Sequence, residues 1–153
     1  MAHHQRRARF EVKVMAARSG GDERATRIVV GIGDGGPSQY RAALALAAQM
    51  SRQHHAELTL VHGCIPRLSI PSSDEALRNH LARGEKLLQE AERALSPLTD
   101  HGTPIHLAAV PLTAVDALVH ESQTTAAVIV QRRDLSAVRR ALSGDTAHNA
   151  AAQ

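Results

Sequence analysis

The sequence predicts a single α/β domain built on a parallel β-sheet with helices on both faces. Two apolar runs, at 28–32 and 126–130, lack polar alternation, which is typical of strands covered on both sides. Segments with helical periodicity separate the strand-like runs, so right-handed βαβ crossovers are expected. The length of 153 residues suits one domain with a substantial core.

The first strand-and-helix unit covers residues 26–48. Its strand runs into glycines that satisfy the pattern G-x-G-x-x-G, namely Gly31, Gly33 and Gly36. Pro37 follows, and proline is favoured at the first position of a helix, where its missing N–H costs nothing. A strand, a glycine turn and a helix in this order place backbone N–H groups at the carboxyl edge of a sheet, where anions bind readily. We therefore expect the functional site at this edge.

Further strand-like and helical segments follow in alternation. The second helix has capping-box spacing between Ser72 and Glu75 and one apolar stripe at steps of three and four. Thr113 and Asp116 predict the start of a third, short helix. The other strands are predicted at 57–62, 105–110 and 126–130, with a last helix from Asp134 or Ser136.

The positive charge of the chain is concentrated in residues 1–24. This segment holds six arginines or lysines and three acidic residues, a net of +3, which equals the formal net charge of the whole chain. We expect residues 1–24 to be a basic flexible arm, with a short isolated strand at 10–14, and residues 25–153 to be the folded domain. An arm that contacts nucleic acid or an acidic partner is the alternative.

The composition argues against several classes of protein. Phe10 and Tyr40 are the only aromatic residues, so bases cannot stack as they do in single-strand binders, and we expect no nucleic-acid partner. A single cysteine, Cys64, excludes an intrachain disulfide and suits a reducing compartment. No apolar run approaches the roughly 20 residues that span a bilayer. We therefore expect a cytoplasmic protein that is not associated with a membrane.

Motifs for catalysis and metal binding are missing from the sequence. It has no P-loop and no G-x-S-x-G elbow, and its histidines are not at metal-ligand spacing. A nicotinamide site would need an acidic residue where the second strand ends, but residues 61–63 are valine, histidine and glycine. We therefore expect no catalytic residue, no metal and no firmly bound cofactor. The arginine pairs at 132–133 and 139–140 are either a solvated face or an anion site.

Three segments resemble the universal stress protein family. The first, VVGIGDGGPSQYRAALALA, is similar to the family's first strand, turn and helix. The others are HHAELTLVHG, similar to its second strand, and LTAVDALVHESQTTAAVIV, similar to its third helix and fourth strand. The resemblance covers residues 27–149 and implies the strand order 3-2-1-4.

The family normally adds a fifth strand after the last helix and often uses it for dimerisation. The sequence stops at Gln153 before any such strand, so we expect the fifth strand to be missing. The apolar edge at 126–130 would then be unprotected and prone to pair with another chain. We expect a homo-oligomer, or cover of this edge by the arm or by the C-terminal tail.

The family's nucleotide-binding members hold ATP with G-x2-G-x9-G-[ST] after the fourth strand. The matching positions are Gln131, Asp134, Gly144 and Asp145, so the spacing is kept but only one glycine remains. Side-chain bulk and two carboxylates at these positions would oppose a triphosphate. ATP is therefore expected to bind weakly or not at all.

The rest of the nucleotide site also follows from the resemblance. Asp34 corresponds to the family's first-strand aspartate, close to the ribose, and the backbone near Val61 would contact adenine. Two arginines after the fourth strand would offset part of the negative charge that the two aspartates add, but they would not restore the cradle of backbone N–H groups. The candidate binding residues are Gly33, Asp34, Val61, Val130, Arg132, Arg133 and Gly144.

These features together imply a divergent universal stress protein, that is, a stress-related regulatory or binding protein that is not an enzyme. Its expected partner is an unidentified regulatory protein. Two alternatives stay open at this point. One is an ATP-binding family member with slow hydrolysis, and the other is an interaction-only domain that works through its arm or its exposed sheet edge.

Overall fold

Five strands form one sheet in the computed structural model, which describes residues 12–16 and 26–131. In chain order they are β1 (Val12–Ala16), β2 (Arg27–Gly31), β3 (Glu57–Gly63), β4 (Ile105–Val110) and β5 (Ala127–Gln131). Their order across the sheet is β1-β5-β2-β3-β4. The pairs β2–β3, β2–β5 and β3–β4 are parallel, so the predicted order of the four parallel strands is confirmed.

Three α-helices connect the parallel strands: α1 (Pro37–His54), α2 (Asp74–Leu95) and α3 (Ala114–Ser122). A 3-10 turn, Ser96–Leu98, continues α2. The predicted last helix lies outside the described residues.

The start of each helix follows from its local sequence. Pro37 opens α1 as predicted. The cap of α2 is Ser73 rather than the predicted Ser72, because the Ser73 hydroxyl accepts the N–H of Ala76 at 3.1 Å. At α3, Thr113 accepts the N–H of Asp116 at 3.3 Å, as its spacing indicated.

Helices cover both faces of the sheet. On one face, α1 and α2 pack over Ile28, Val30 and Leu60, whose side chains are fully buried. On the other face, α3 packs over Val29 and Val61. Consecutive residues of β2 thus enter opposite cores, which explains why its sequence shows no polar alternation.

The sheet extends one strand beyond the four that were predicted. Strand β1 pairs antiparallel with β5, with Val14 opposite Ile129, and so covers the edge that was expected to be open. Because β1 precedes the parallel strands in the chain, it is not the family's fifth strand, which follows the last helix. Its pairing with β5 agrees with the alternative that the arm covers this edge. A strand after the last helix, and the rest of the arm, fall outside the described residues.

Candidate ligand site at the carboxyl edge of the sheet

A cavity of about 330 Å³ opens where β2, β3 and β5 end. The loop at 32–36 and the first residues of α1 and α3 complete its walls. The connection from β2 passes through α1 to β3 on one side, whereas β5 on the other side is reached through α3. The carboxyl end of β2 is therefore a topological switch point, where open α/β sheets bind ligands. We call this the first cavity.

The structure brings four of the predicted site residues together in the wall of the first cavity. They are Gly33, Asp34, Val61 and Val130. Gln131, which occupies the position of the family's first motif glycine, also lines it. The other three predicted residues, Arg132, Arg133 and Gly144, lie outside the described residues.

Asp34 supplies the charge of the first cavity. Among the described lining residues it alone carries a charged side chain. Its carboxylate is 94% exposed, and Oδ1 lies 3.4 Å from Nε2 of His62. An exposed carboxylate at the mouth of a cavity is well suited to accept hydrogen bonds from ligand hydroxyls.

His62 is a site residue that the sequence analysis missed. Its side chain is 9% exposed, and Nδ1 lies 2.7 Å from the carbonyl oxygen of Ile32. A carbonyl only accepts, so Nδ1 carries the hydrogen and donates it, while Nε2 faces Asp34. The ring therefore ties the end of β3 to the glycine loop. The sequence could not show this, because the partner is a backbone oxygen 30 residues away.

Gly63 is a second residue that the sequence analysis did not include in the site. It is the last residue of β3 and lies against the start of α3. A Cβ at this position would lie 2.5 Å from the backbone carbon of Thr113 and 2.6 Å from the nitrogen of Ala114. Only glycine allows the two backbones this approach. The approach places the start of α3 directly beside the first cavity.

Two buried polar groups of lining residues lack hydrogen-bond partners within the described part of the chain. They are the hydroxyl of Tyr40 and the side-chain nitrogen of Gln131. Burial raises the pKa of Tyr40, and the negative charge of Glu90 raises it further, so the hydroxyl keeps its proton. Buried polar groups are nearly always satisfied in native proteins, so the expected partner is water, a ligand or a residue outside the described ranges.

Cys64 borders the site without being an activated nucleophile. Burial raises the pKa of its thiol, and the negative charges of Asp34 and Glu85 raise it further. A hydrogen bond with the Val110 backbone lowers the pKa but does not outweigh these effects. Reactive cysteines need the opposite environment. No group of three His, Cys, Asp or Glu side chains within the described residues is arranged to hold a metal ion.

A second cavity of about 890 Å³ adjoins the first and shares Asp34, Gly63 and Ala114 with it. It lies between the loop after β3, the middle of α2 and the start of α3. In contrast to the first cavity, its lining residues include two arginines, Arg67 and Arg83.

Comparison with known proteins agrees with this architecture. A family model described as the universal stress protein family matches residues 25–153. No curated protein matches the chain. A solved universal stress protein from Archaeoglobus fulgidus shares 16% identity with a TM-score of 0.51, over 69% of this chain and 74% of that one. A second, a universal stress protein in complex with cAMP, shares 23% identity with a TM-score of 0.51, over 76% and 83%. At these identities the likeness is one of fold.

Proposed function

This chain belongs to the universal stress protein family, and from that premise we propose that it is a non-catalytic, stress-related binding protein. Its first cavity takes the adenosine part of an adenine nucleotide but holds the phosphates of ATP weakly. The observation that carries this proposal is the convergence of Gly33, Asp34, Val61 and Val130 on one cavity. This cavity also holds polar groups that have no partner within residues 12–16 and 26–131.

The residues that line this cavity explain why the phosphates of ATP should bind weakly. Phosphates need positive charge or a cradle of backbone N–H groups. The described lining residues offer one negative charge, at Asp34, and the bulk of Gln131 stands where the family has glycine. The sequence adds Asp134 and Asp145 at two further motif positions. Losing about 3 kcal/mol of phosphate contacts raises a dissociation constant by roughly a hundredfold or more.

Cyclic AMP is a second candidate ligand. One solved structure of similar fold is a universal stress protein in complex with cAMP. A cyclic phosphodiester carries a single negative charge, so it loses less than ATP does when the phosphate cradle is poor. This candidate predicts that cAMP binds more tightly than ATP.

The remaining features of the proposal concern location and assembly. No helix in the described residues is long and apolar enough to cross a membrane. We propose a cytoplasmic location, a homo-oligomeric state and a regulatory protein partner. The family membership supports the homo-oligomeric state. In the described sheet the edge strands are β1 and β4, and these are the strands that could pair with another chain.

Calorimetric titration with adenosine, AMP, cAMP, ADP and ATP tests the binding function. We expect the affinity not to rise from AMP to ATP, and ATP to bind in the millimolar range. Asp34→Asn should weaken adenosine binding about tenfold, the value of one hydrogen bond to a charged group. Asp100→Asn, which removes an exposed carboxylate that lines neither cavity, is the matched control.

Restoring the phosphate loop provides the converse test. The triple change Gln131→Gly, Asp134→Gly and Asp145→Ser should tighten ATP binding at least about tenfold. Micromolar ATP binding by the unmodified protein would contradict the proposal and favour a competent ATP-binding member. No binding of adenosine or of any nucleotide would favour an interaction-only domain.

A further inference from the structure

The second cavity has a composition that the family resemblance did not predict. The side chains of Arg67, on the loop after β3, and of Arg83, on α2, line it together with His80. Both arginines are exposed, and neither guanidinium forms a salt bridge or a side-chain hydrogen bond within the described residues. Two unpaired guanidinium groups on the wall of one cavity are suited to bind the oxygens of a phosphate.

The start of α3 adds backbone donors to the same wall. Thr113 accepts the N–H of Asp116, and the N–H groups of Ala114 and Val115 precede it in the first turn. The first N–H groups of a helix have no partner inside the helix and carry partial positive charge. Ala114 and Val115 both line the second cavity. These donors supplement the guanidinium groups and do not define the site by themselves.

Two carboxylates also line the second cavity and oppose an anion. The carboxylate of Asp34 is 94% exposed, and its Oδ1 lies 3.4 Å from Nε2 of His62. Asp116 is exposed in the first turn of α3. The affinity for a phosphate should therefore be modest and should increase when the charge of Asp116 is removed.

We propose that the second cavity binds a phosphoryl group, held by Arg67 and Arg83. The group is either inorganic phosphate or the phosphate of a nucleotide whose adenosine part occupies the first cavity. The nucleotide form rests on the proposed function, and the inorganic form does not. Because Asp34, Gly63 and Ala114 border both cavities, one mononucleotide can extend from the first into the second. Its phosphate would then avoid Gln131.

The test begins with sodium phosphate, titrated against sodium chloride of equal ionic strength at constant pH. Amide shifts in two-dimensional NMR should saturate at Gly63 and Val115 but not at Gly33. The double variant Arg67→Gln, Arg83→Gln should weaken phosphate binding at least about tenfold. Arg78→Gln removes one positive charge, the same change as each single substitution, from an exposed position of α2 outside the cavity. It should change the phosphate affinity less than about twofold.

Asp116→Asn should act in the opposite direction and tighten phosphate binding a few-fold, since it removes a like charge from the wall. Absence of saturable shifts in the unmodified protein would overturn the proposal. Equal weakening by the double variant and by Arg78→Gln would overturn it as well, because it would show a general charge effect. All of these side chains are exposed, and melting curves verify that the variants fold.

Adenosine and AMP then distinguish the two sources of the phosphate. Tighter binding of AMP than of adenosine, with the gain lost in the double variant, supports the nucleotide form. Saturable phosphate binding without any binding of adenosine or AMP supports the inorganic form, and in that case the proposed function fails while the phosphate site stands. A gain for AMP that survives in the double variant overturns the nucleotide form, since the phosphate of AMP would then bind elsewhere.

Discussion

Two sets of glycines border the candidate site, and they differ in what surrounds them. At Gly33, in the glycine loop, an added Cβ would meet no atom within 4 Å. At Gly63, at the end of β3, it would lie 2.5 Å from the backbone of Thr113. At Gly84, in α2, it would lie 2.4 Å from the sulfur of Cys64. Gly63 and Gly84, unlike Gly33, are therefore positions at which a helix and the sheet approach each other closely.

Within the glycine loop, Gly36 is required for a different reason. It precedes α1 with φ 75° and ψ 176°, a backbone conformation that is essentially restricted to glycine. The difference teaches that a glycine-rich loop and a close helix approach shape one cavity by separate means. The first depends on a local turn, and the second depends on packing between distant segments.

Replacing Gly63 should produce the largest effect. We expect Gly63→Ala to lower the free energy of unfolding by about 3 kcal/mol, because the new Cβ would displace the backbone of α3 from β3. Urea unfolding measures the change. Gly33→Ala is the control and should stay within about 0.5 kcal/mol of the unmodified protein. Equal stability of the two variants would show that the close approach is not needed.

Replacing Gly36 should have an intermediate effect. Gly36→Ala is expected to cost about 2 kcal/mol, since alanine must adopt a positive φ there or distort the start of α1. The same unfolding experiment measures it, together with the helical signal in circular dichroism. A variant as stable as Gly33→Ala would mean that the loop relaxes into another conformation at little cost.

Gly84→Ala should lower the free energy of unfolding by only about 1 kcal/mol. The atoms nearest to the new Cβ belong to the side chains of Cys64 and His62, which can adjust. Removing the sulfur should relieve the clash. We therefore expect the double variant Gly84→Ala, Cys64→Ala to be more stable than the sum of the single effects predicts. Strict additivity in the double-mutant cycle would place the strain elsewhere.

The smallest expected effect is a pH dependence at Cys64. Burial raises the pKa of this thiol above its ordinary value of 9.0, so the folded protein holds the proton more strongly than the unfolded chain. The resulting stabilisation is complete below the unfolded pKa and is lost as the pH rises through the folded one. Between pH 8 and pH 11 the melting temperature should fall less steeply for Cys64→Ala than for the unmodified protein. Equal slopes for the two proteins would argue against a buried thiol.

Much of the fold could be predicted because its signals are local. The apolar run of β2, the proline that opens α1 and the Thr113 cap of α3 each act over a few residues. The four-strand order followed from the family resemblance. Strand β1 was not placed, because an alternating run of five residues does not indicate which edge it will join.

The candidate site was predicted in part for the same reason. Gly33 was found because the glycine turn after β2 is a pattern in the sequence, whereas Asp34 and Val61 were named through the family resemblance. Val130 was named because it lies near the end of the fourth parallel strand, where the family's phosphate motif begins. His62 and Gly63 were missed, since the first acts on a distant carbonyl and the second matters through a distant backbone. The second cavity was missed because Arg67 and Arg83 are separated in sequence and line one cavity only in the folded chain.

By itself, then, the sequence determined the strands and helices, the covering of the sheet on both faces and the glycine turn at its carboxyl edge. These depend on propensities and periodicities that are encoded within one segment at a time. Only the tertiary structure decided that β1 covers β5, that Gly63 brings α3 to the first cavity and that two arginines line the second. Each of these depends on distances between segments, which are set by packing that no single segment specifies.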